Sequence, residues 1–167
     1  MWWDDGVHSL DLRVRQGTAA DAKVLTEVVR RAITITAAPF YDQLQIEQWA
    51  SHFTEPVLTE IIASRTVFVV WCGQSTCGFS SLLSTSAGQG EVGELFVDPD
   101  SSGRGVARLA LEAVEDEARV RGIGRLRVDA SLLAAPVLEH LGYVVEERYD
   151  KYVASLVYCN TWLNKSL

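Results

Sequence analysis

The stretch Leu95-Phe96-Val97-Asp98-Pro99-Asp100-Ser101-Ser102-Gly103-Arg104-Gly105-Val106-Ala107-Arg108-Leu109 constrains this 167-residue chain more than any other. It reads as a strand that runs out through a proline, a Ser/Gly loop, and then an amphipathic helix with nothing bulky in its first turn. Gly103 and Gly105 lack side chains, so backbone N–H groups can approach phosphate oxygens, and the unpaired amides at a helix start carry about half a positive charge. Arg104 and Arg108 add two cations beside that terminus. The arrangement is that of a phosphate cradle. A dinucleotide-binding loop needs a third glycine and an acidic residue about 20 positions on, whereas Ala107 and Arg108 follow here. The Gly-Lys-Ser or Gly-Lys-Thr of a P-loop is also missing. An isolated Gly-x-Gly is equally served by an ordinary loop with Ser102 capping the helix, so the flanking chain has to decide.

Upstream, Leu10 to Arg15 alternates apolar and polar residues, the period of a half-buried strand. Thr18 to Asp21 forms a capping box ahead of Val24, Leu25, Val28 and Ala32, which predicts a helix from Asp21 to Ile33. A second helix is expected from Asp42 to Ala50, and a third, capped by Thr54, through Val57, Leu58, Ile61 and Ile62. The β-branched and aromatic runs Thr66 to Cys72 and Thr76 to Leu83 read as an antiparallel hairpin about Gly73-Gln74-Ser75. A Ser/Gly turn over Ser84 to Gly90 then leads into a strand from Glu91 to Val97.

Downstream, a long helix is expected from Gly105 to Arg121, with Val106, Leu109, Ala110, Ala113, Val114 and Ala118 in one stripe. Arg108, Glu112, Glu115, Asp116 and Arg119 face away from it, and Gly122 closes it. A strand around Leu126 and Val128, a short helix from Pro136 to Leu141, and strands over Tyr143 to Tyr149 and Leu156 to Leu163 complete the chain. The fold class is therefore α+β (mixed α/β), a sheet flanked by helices. Residues 10–167 read as a single domain, preceded by an N-terminal extension, 1–9, that is a candidate for disorder.

A net charge of −7 repels polyanions at long range, which argues against a nucleic-acid partner. No apolar run approaches the roughly 20 residues that span a bilayer, and the N-terminus lacks the pattern of a secretory signal. Three cysteines, Cys72, Cys77 and Cys159, are too few and too odd in number for a disulfide framework and show no metal-ligand spacing. They read as buried thiols of a cytoplasmic protein without a metal.

Two segments together resemble the GNAT superfamily of N-acetyltransferases, of the single-domain, bacterial type. Ser102-Gly103-Arg104-Gly105-Val106-Ala107 matches that family's pyrophosphate loop (Gln or Arg, Gly, any residue, Gly, small apolar, Gly or Ala) at every position but the first. The segment from Ala130 to Tyr143 resembles the family's helix that ends in Gly-Phe or Gly-Tyr before the sixth strand. The resemblance takes in the early strand Leu12 to Gln16, the helix beginning at Asp21 and the hairpin. It implies a mostly antiparallel central sheet of about seven strands, flanked by helices and splayed at strands 4 and 5.

It also implies acetyl-CoA as co-substrate and no metal. Leu95, Phe96 and Val97 would offer backbone groups to the pantetheine arm, as a peptide adds to a sheet edge. Ser102, Gly103, Arg104, Gly105, Val106, Ala107 and Arg108 would surround the pyrophosphate, and the amide of Val97 would polarise the thioester carbonyl. The implied reaction is direct acetyl transfer to a primary amine, of a small molecule or an exposed amino group, with no covalent enzyme intermediate. Two alternatives remain open: a CoA-binding sensor or interaction protein of the same fold without turnover, and a nucleotide ligand if the cradle alone counts.

Acetyl transfer asks for a neutral amine, a stabilised oxyanion and a protonated leaving thiolate, against a pKa of about 10 for an alkylammonium and about 8.5 for a thiol. Glu91 aligns with the glutamate that serves as base in some family members, and Glu94 lies nearer the acetyl end. Three apart on a regular strand, they point to opposite faces, so at most one faces the site unless a bulge intervenes. Leu138 stands where many members carry an acid tyrosine, four residues before Gly142. Ser131, Tyr41 and His140 are the candidate acids from elsewhere in the chain, with His140 reading as a surface residue; departure of the thiolate unassisted or through water is the other route. The implied acceptor pocket, between the first helices and the last strands, holds Phe40, Tyr41, Trp49, Phe53, Tyr149, Tyr152, Tyr158 and Trp162. Such a set can enclose a cation, pack the core, or form a homodimer interface.

Overall fold

Seven strands join in one sheet in the order β1-β2-β3-β4-β5-β7-β6. The computed structural model describes residues 11–86 and 88–167. The extension 1–9 and Leu10, the expected start of the first strand, lie outside them. The strands are β1 (Leu12–Gln16), β2 (Thr66–Cys72), β3 (Ser75–Ser86), β4 (Gln89–Val97), β5 (Arg125–Ala130), β6 (Val144–Val153) and β7 (Leu156–Ser166). Every neighbouring pair is antiparallel except β4 with β5. The helices are α1 (Ala22–Arg31), α2 (Gln43–His52), α3 (Glu55–Ser64), α4 (Val106–Val120) and α5 (Ala134–His140). Among the described residues no helix is long and apolar enough to cross a membrane.

Local chemistry sets the helix starts. Thr18 N–H donates to the Asp21 carboxylate at 2.7 Å, completing the expected capping box. Arg15 grips the same carboxylate at 2.7 and 2.9 Å and holds its pKa below the usual aspartate value. Asp42 accepts Gln45 N–H at 2.9 Å while the Gln45 side chain accepts Asp42 N–H at 2.8 Å, so α2 starts on a reciprocal cap. At its C-terminal end α1 widens into one π turn, Ala32–Thr36, a feature that recurs beside functional sites.

Two cores sandwich the sheet. On one face Leu25, Val28, Val29, Ile33 and Leu58 of the α1 and α3 layer pack on Val67, Val69 and Phe79. On the other, Leu111, Val114, Ala118 and Leu138 pack on Leu82, Val92, Leu126, Val128 and Leu163. Gly78 sits opposite Val97 beneath the start of α4, where a Cβ would meet the Phe96 carbonyl oxygen at 2.6 Å and Val106 Cγ1 at 2.8 Å. Gly78→Ala is therefore expected to cost about 2 kcal/mol through overpacking, read from the midpoint of chemical denaturation.

Several expectations are corrected. The ladder of β3 and β4 runs to Ser86 and from Gln89, so the turn is tighter than Ser84 to Gly90. The last two strands also outrun their expected ends, because exposed polar side chains on one face do not interrupt the backbone ladder. Glu115 does not face away from the core: it is buried, and Lys165 Nζ from β7 reaches its two oxygens at 2.8 and 3.0 Å. Leu111 joins the buried stripe beside it. Of the three thiols only Cys77 is buried, and Cys159 is exposed.

Candidate active site

β4 and β5 pair over only Gln89 to Val92 and Arg125 to Val128. Beyond Val92 and Val128 they part. Asp98 N–H donates to the Cys77 carbonyl at 2.8 Å. Antiparallel ladders alternate, so the N–H and C=O of Phe96 also face β3, and those of Leu95 and Val97 face the gap. A cleft of about 1140 Å³ passes through this opening. It is bounded by Leu95 to Val97 on one side and Val128 to Ser131 on the other, with the loop before α4, the π turn and α2 completing its lining. Phe96 thus contributes its ring to the cleft wall, while its backbone belongs to the β3 ladder.

At the loop end, Gly103 and Gly105 have φ of +75° and +85°, the left-handed region that glycine enters without strain. None of the backbone N–H groups from Gly103 to Arg108 donates to another described residue. Six amides without a partner among the described residues thus lie at the positive end of the 15-residue α4, which fits a diphosphate. Ser102 does not cap the helix; Gly105 holds that position with no side-chain cap. Ser102, Gly103, Gly105, Val106, Ala107 and Arg108 all line the cleft, whereas Arg104 is exposed beside it. Arg31, the last residue of α1, anchors the loop's entrance, with Nε 2.8 Å from Asp98 and Nη2 2.9 Å from Asp100.

Of the two candidate glutamates Glu94 lines the cleft, whereas Glu91 lies beside it on the part of β4 still paired with β5, opposite Arg127. Leu95 opposes Ser80 and Val92 opposes Leu82, so β4 carries one residue more than β3 between these pairs. Val92 and Leu95 consequently pack on the same core, and Glu91 and Glu94 share the opposite face with Phe96. The bulge thus brings together two side chains that a regular strand would separate. Their situations differ. Glu94 is buried, with one oxygen on Arg65 Nη1 at 2.5 Å and the other on Ser81 Oγ. The Arg65 guanidinium lies over Gly93, where any Cβ would collide with it. Glu91 is half-buried and makes no ion pair among the described residues. Burial raises its pKa, helped by neighbouring Asp129 and opposed by Arg65, Arg127 and Lys151.

Asp129, Lys151 and Asn160 also line the cleft and were not visible as site residues in the sequence. Asp129 Oδ2 accepts from Tyr149 Oη at 2.9 Å and Lys151 Nζ at 2.7 Å, and Oδ1 from Asn160 Nδ2 at 2.8 Å. Burial and the hydrogen bond to Asp129 push the Tyr149 hydroxyl up to about 12. Period-two alternation along the last three strands was the signal, but the strand register that unites these residues has no local signature.

Tyr41 and Ser131 do meet. Tyr41 Oη accepts Leu132 N–H at 2.9 Å with Ser131 beside it, and burial raises the phenol pKa. Tyr41 stands edge-on to Trp49 at 5.4 Å and 6.0 Å from Tyr158. Leu138 is fully buried and lines the cleft, while His140 is exposed at its rim. Of the other aromatics, Phe53 packs on Phe96 at 5.3 Å, Tyr149 stacks on Trp162 at 6.5 Å, and Phe40 and Tyr152 are exposed.

Residues 37–155 match the family model described as Acetyltransferase (GNAT) domain. The chain is 30% identical over 133 residues to the Uncharacterized N-acetyltransferase YafP of Escherichia coli K12, covering 80% of this chain and 81% of that protein. Among solved structures it resembles a GCN5-related N-acetyltransferase from Rhodopseudomonas palustris, with a TM-score of 0.83 and 28% identity over 93% of this chain and 95% of that one. It shares its fold with the PaiA N-acetyltransferase of Thermoplasma acidophilum, solved in complex with coenzyme A, at a TM-score of 0.78 and 19% identity over 93% of this chain and 99% of that one. Agreement of this extent, in sequence and in architecture, makes the chain a member of the GNAT superfamily of N-acetyltransferases and an acyltransferase.

Proposed function

We propose that the protein transfers the acetyl group of acetyl-CoA directly to a primary amine, carried by a small molecule or presented as an exposed amino group. The observation that carries this reading is the β4–β5 gap, which joins six bare amides at the start of α4 to Asp129, with Glu91 on the adjoining paired stretch of β4 near enough to feel the Asp129 charge. Coenzyme A in the PaiA structure supports the choice of ligand. When bound, acetyl-CoA supplies the activated acyl group. Leu95 and Val97 hold the pantetheine arm as an added strand would be held, Ser102 to Arg108 hold the diphosphate, and Val97 N–H polarises the thioester carbonyl. A reducing, cytoplasmic setting suits three unpaired thiols.

Glu91 takes the proton from the incoming ammonium, directly or through water. Its carboxylate is unpaired and its pKa is raised toward that task, whereas Glu94 is held by Arg65 and Ser81 and shapes the bulge. Tyr41, which lines the cleft beside Ser131 and whose burial keeps the phenol protonated, is the proton donor assigned to the departing sulfur. A base acts in its ionised form, so kcat/KM rises with pH through the raised Glu91 pKa. Glu91→Gln is expected to lower kcat/KM about 100-fold and to remove that acid limb from the pH profile.

The direct test mixes the protein and acetyl-CoA with a panel of primary amines and follows free thiol. Release that depends on the amine supports the reading. Thermal stabilisation by acetyl-CoA with no release over the whole panel would replace it with the non-catalytic sensor that Leu138 in the usual tyrosine position suggests.

A further inference from the structure

We propose that Lys151 is itself an acetyl acceptor, modified inside its own cleft when no external amine is bound. The inference rests on the acetyltransferase reading above and adds to it a self-modification site. The chain has three lysines, Lys23, Lys151 and Lys165. Lys23 is exposed on α1, and Lys165 is occupied on the opposite face of the sheet by the buried Glu115 and the Leu141 carbonyl. Lys151 alone among them lines the cleft.

Its position is set by register. Asp129 follows Val128, the last β5 residue paired with β4, so its side chain stands where the gap opens. Lys151 Nζ lies 2.7 Å from Asp129 Oδ2, which places a primary amine against a carboxylate at the mouth of that gap. Glu91 lies close enough to both Asp129 and Lys151 to feel their charges. Across the opening, the amides of Leu95 and Val97 face the same space. The lysine side chain is 44% exposed, so it is free to swing from Asp129 toward the strand opposite. In effect Lys151 already occupies the place an acceptor's ammonium would take.

The step balances without an added reagent. The Lys151 ammonium gives one proton to Glu91 and thence to water, and its nitrogen bonds to the thioester carbon. The carbon–sulfur bond breaks, sulfur leaves with the electron pair, and the amine's remaining surplus proton goes to the thiolate. The products are an Nζ-acetyl amide and a free thiol. The amide keeps one N–H for Asp129 but loses the charge.

The full-length protein incubated with acetyl-CoA and no added amine is expected to gain the mass of one acetyl group, mapped by peptide analysis to Lys151. The fraction labelled per unit time should not change on diluting the protein, and an amine that supports thiol release should slow it. Lys151→Arg and Gly105→Trp should both stay unlabelled. Equal labelling of Lys23, or undiminished labelling in Gly105→Trp, would mean nonenzymatic chemistry and overturn the proposal. So would an enzyme that releases thiol with amines yet never labels Lys151, which leaves the transferase reading intact. Labelling of Lys151 without turnover on any amine would uphold the self-modification and sink the free-amine reading.

Discussion

Gly105→Trp is expected to lower acetyl-CoA affinity at least about 100-fold while the protein stays folded. Each hydrogen bond to a charged group contributes about 1.5–3 kcal/mol, so loss of two backbone contacts to the diphosphate already accounts for that factor. Gly105 lines the cleft and no atom lies within 4 Å of where a Cβ would begin, so an indole there has room to take up the space the diphosphate needs. The same openness keeps the substitution from disturbing the core. Its backbone cost, from a φ of +85°, is about 1–2 kcal/mol. Titration calorimetry with acetyl-CoA reads the first effect and a thermal melt the second. Gly105→Ala carries the strain without the bulk and should retain most of the affinity. Unchanged binding in the tryptophan variant would remove the loop from the ligand site.

Arg65→Ala should destabilise the protein by about 3 kcal/mol, the scale for stripping the partner from a buried charge. Glu94 is only 8% exposed, at the wall of the cleft, and its other oxygen is already committed to Ser81. The denaturation midpoint reads the loss. Adding Glu94→Gln to Arg65→Ala should recover part of it, because the remaining side chain no longer carries a charge. A fall in kcat/KM should accompany the single substitution, since Arg65 lies across Gly93 at the bulge from which the gap opens. An Arg65→Ala protein with the parent's stability would show that the pair is not needed to hold Glu94.

The left-handed turn before α4 was legible because its chemistry is local: Gly103 and Gly105 take positive φ where they stand, while the ligand class came from the two segments read together. The sequence of strands and helices along the chain followed from periodicity for the same reason, whereas their order in the sheet did not. Glu115 was misjudged because a charged residue in a helix is read as solvated until a partner is known, and Lys165 lies 50 positions away. Asp129, Lys151 and Asn160 were missed on similar grounds, as three strands must align before they meet. Glu91 and Glu94 could be treated only conditionally, since a one-residue bulge leaves no reliable mark in a sequence rich in small polar residues.

The ladder that joins β1 through β4 to β5, β7 and β6 across the middle of the sheet has only four residue pairs, with the core under α4 spanning both sides. The molecule is thus two half-sheets sharing a short seam, and the strand hydrogen bonds missing past the seam are ones a guest chain can supply. A ligand lying there bolts the halves together as well as reacting between them. Amide exchange should be fastest, before the ligand arrives, along the lips of that seam, and should slow there first when it does.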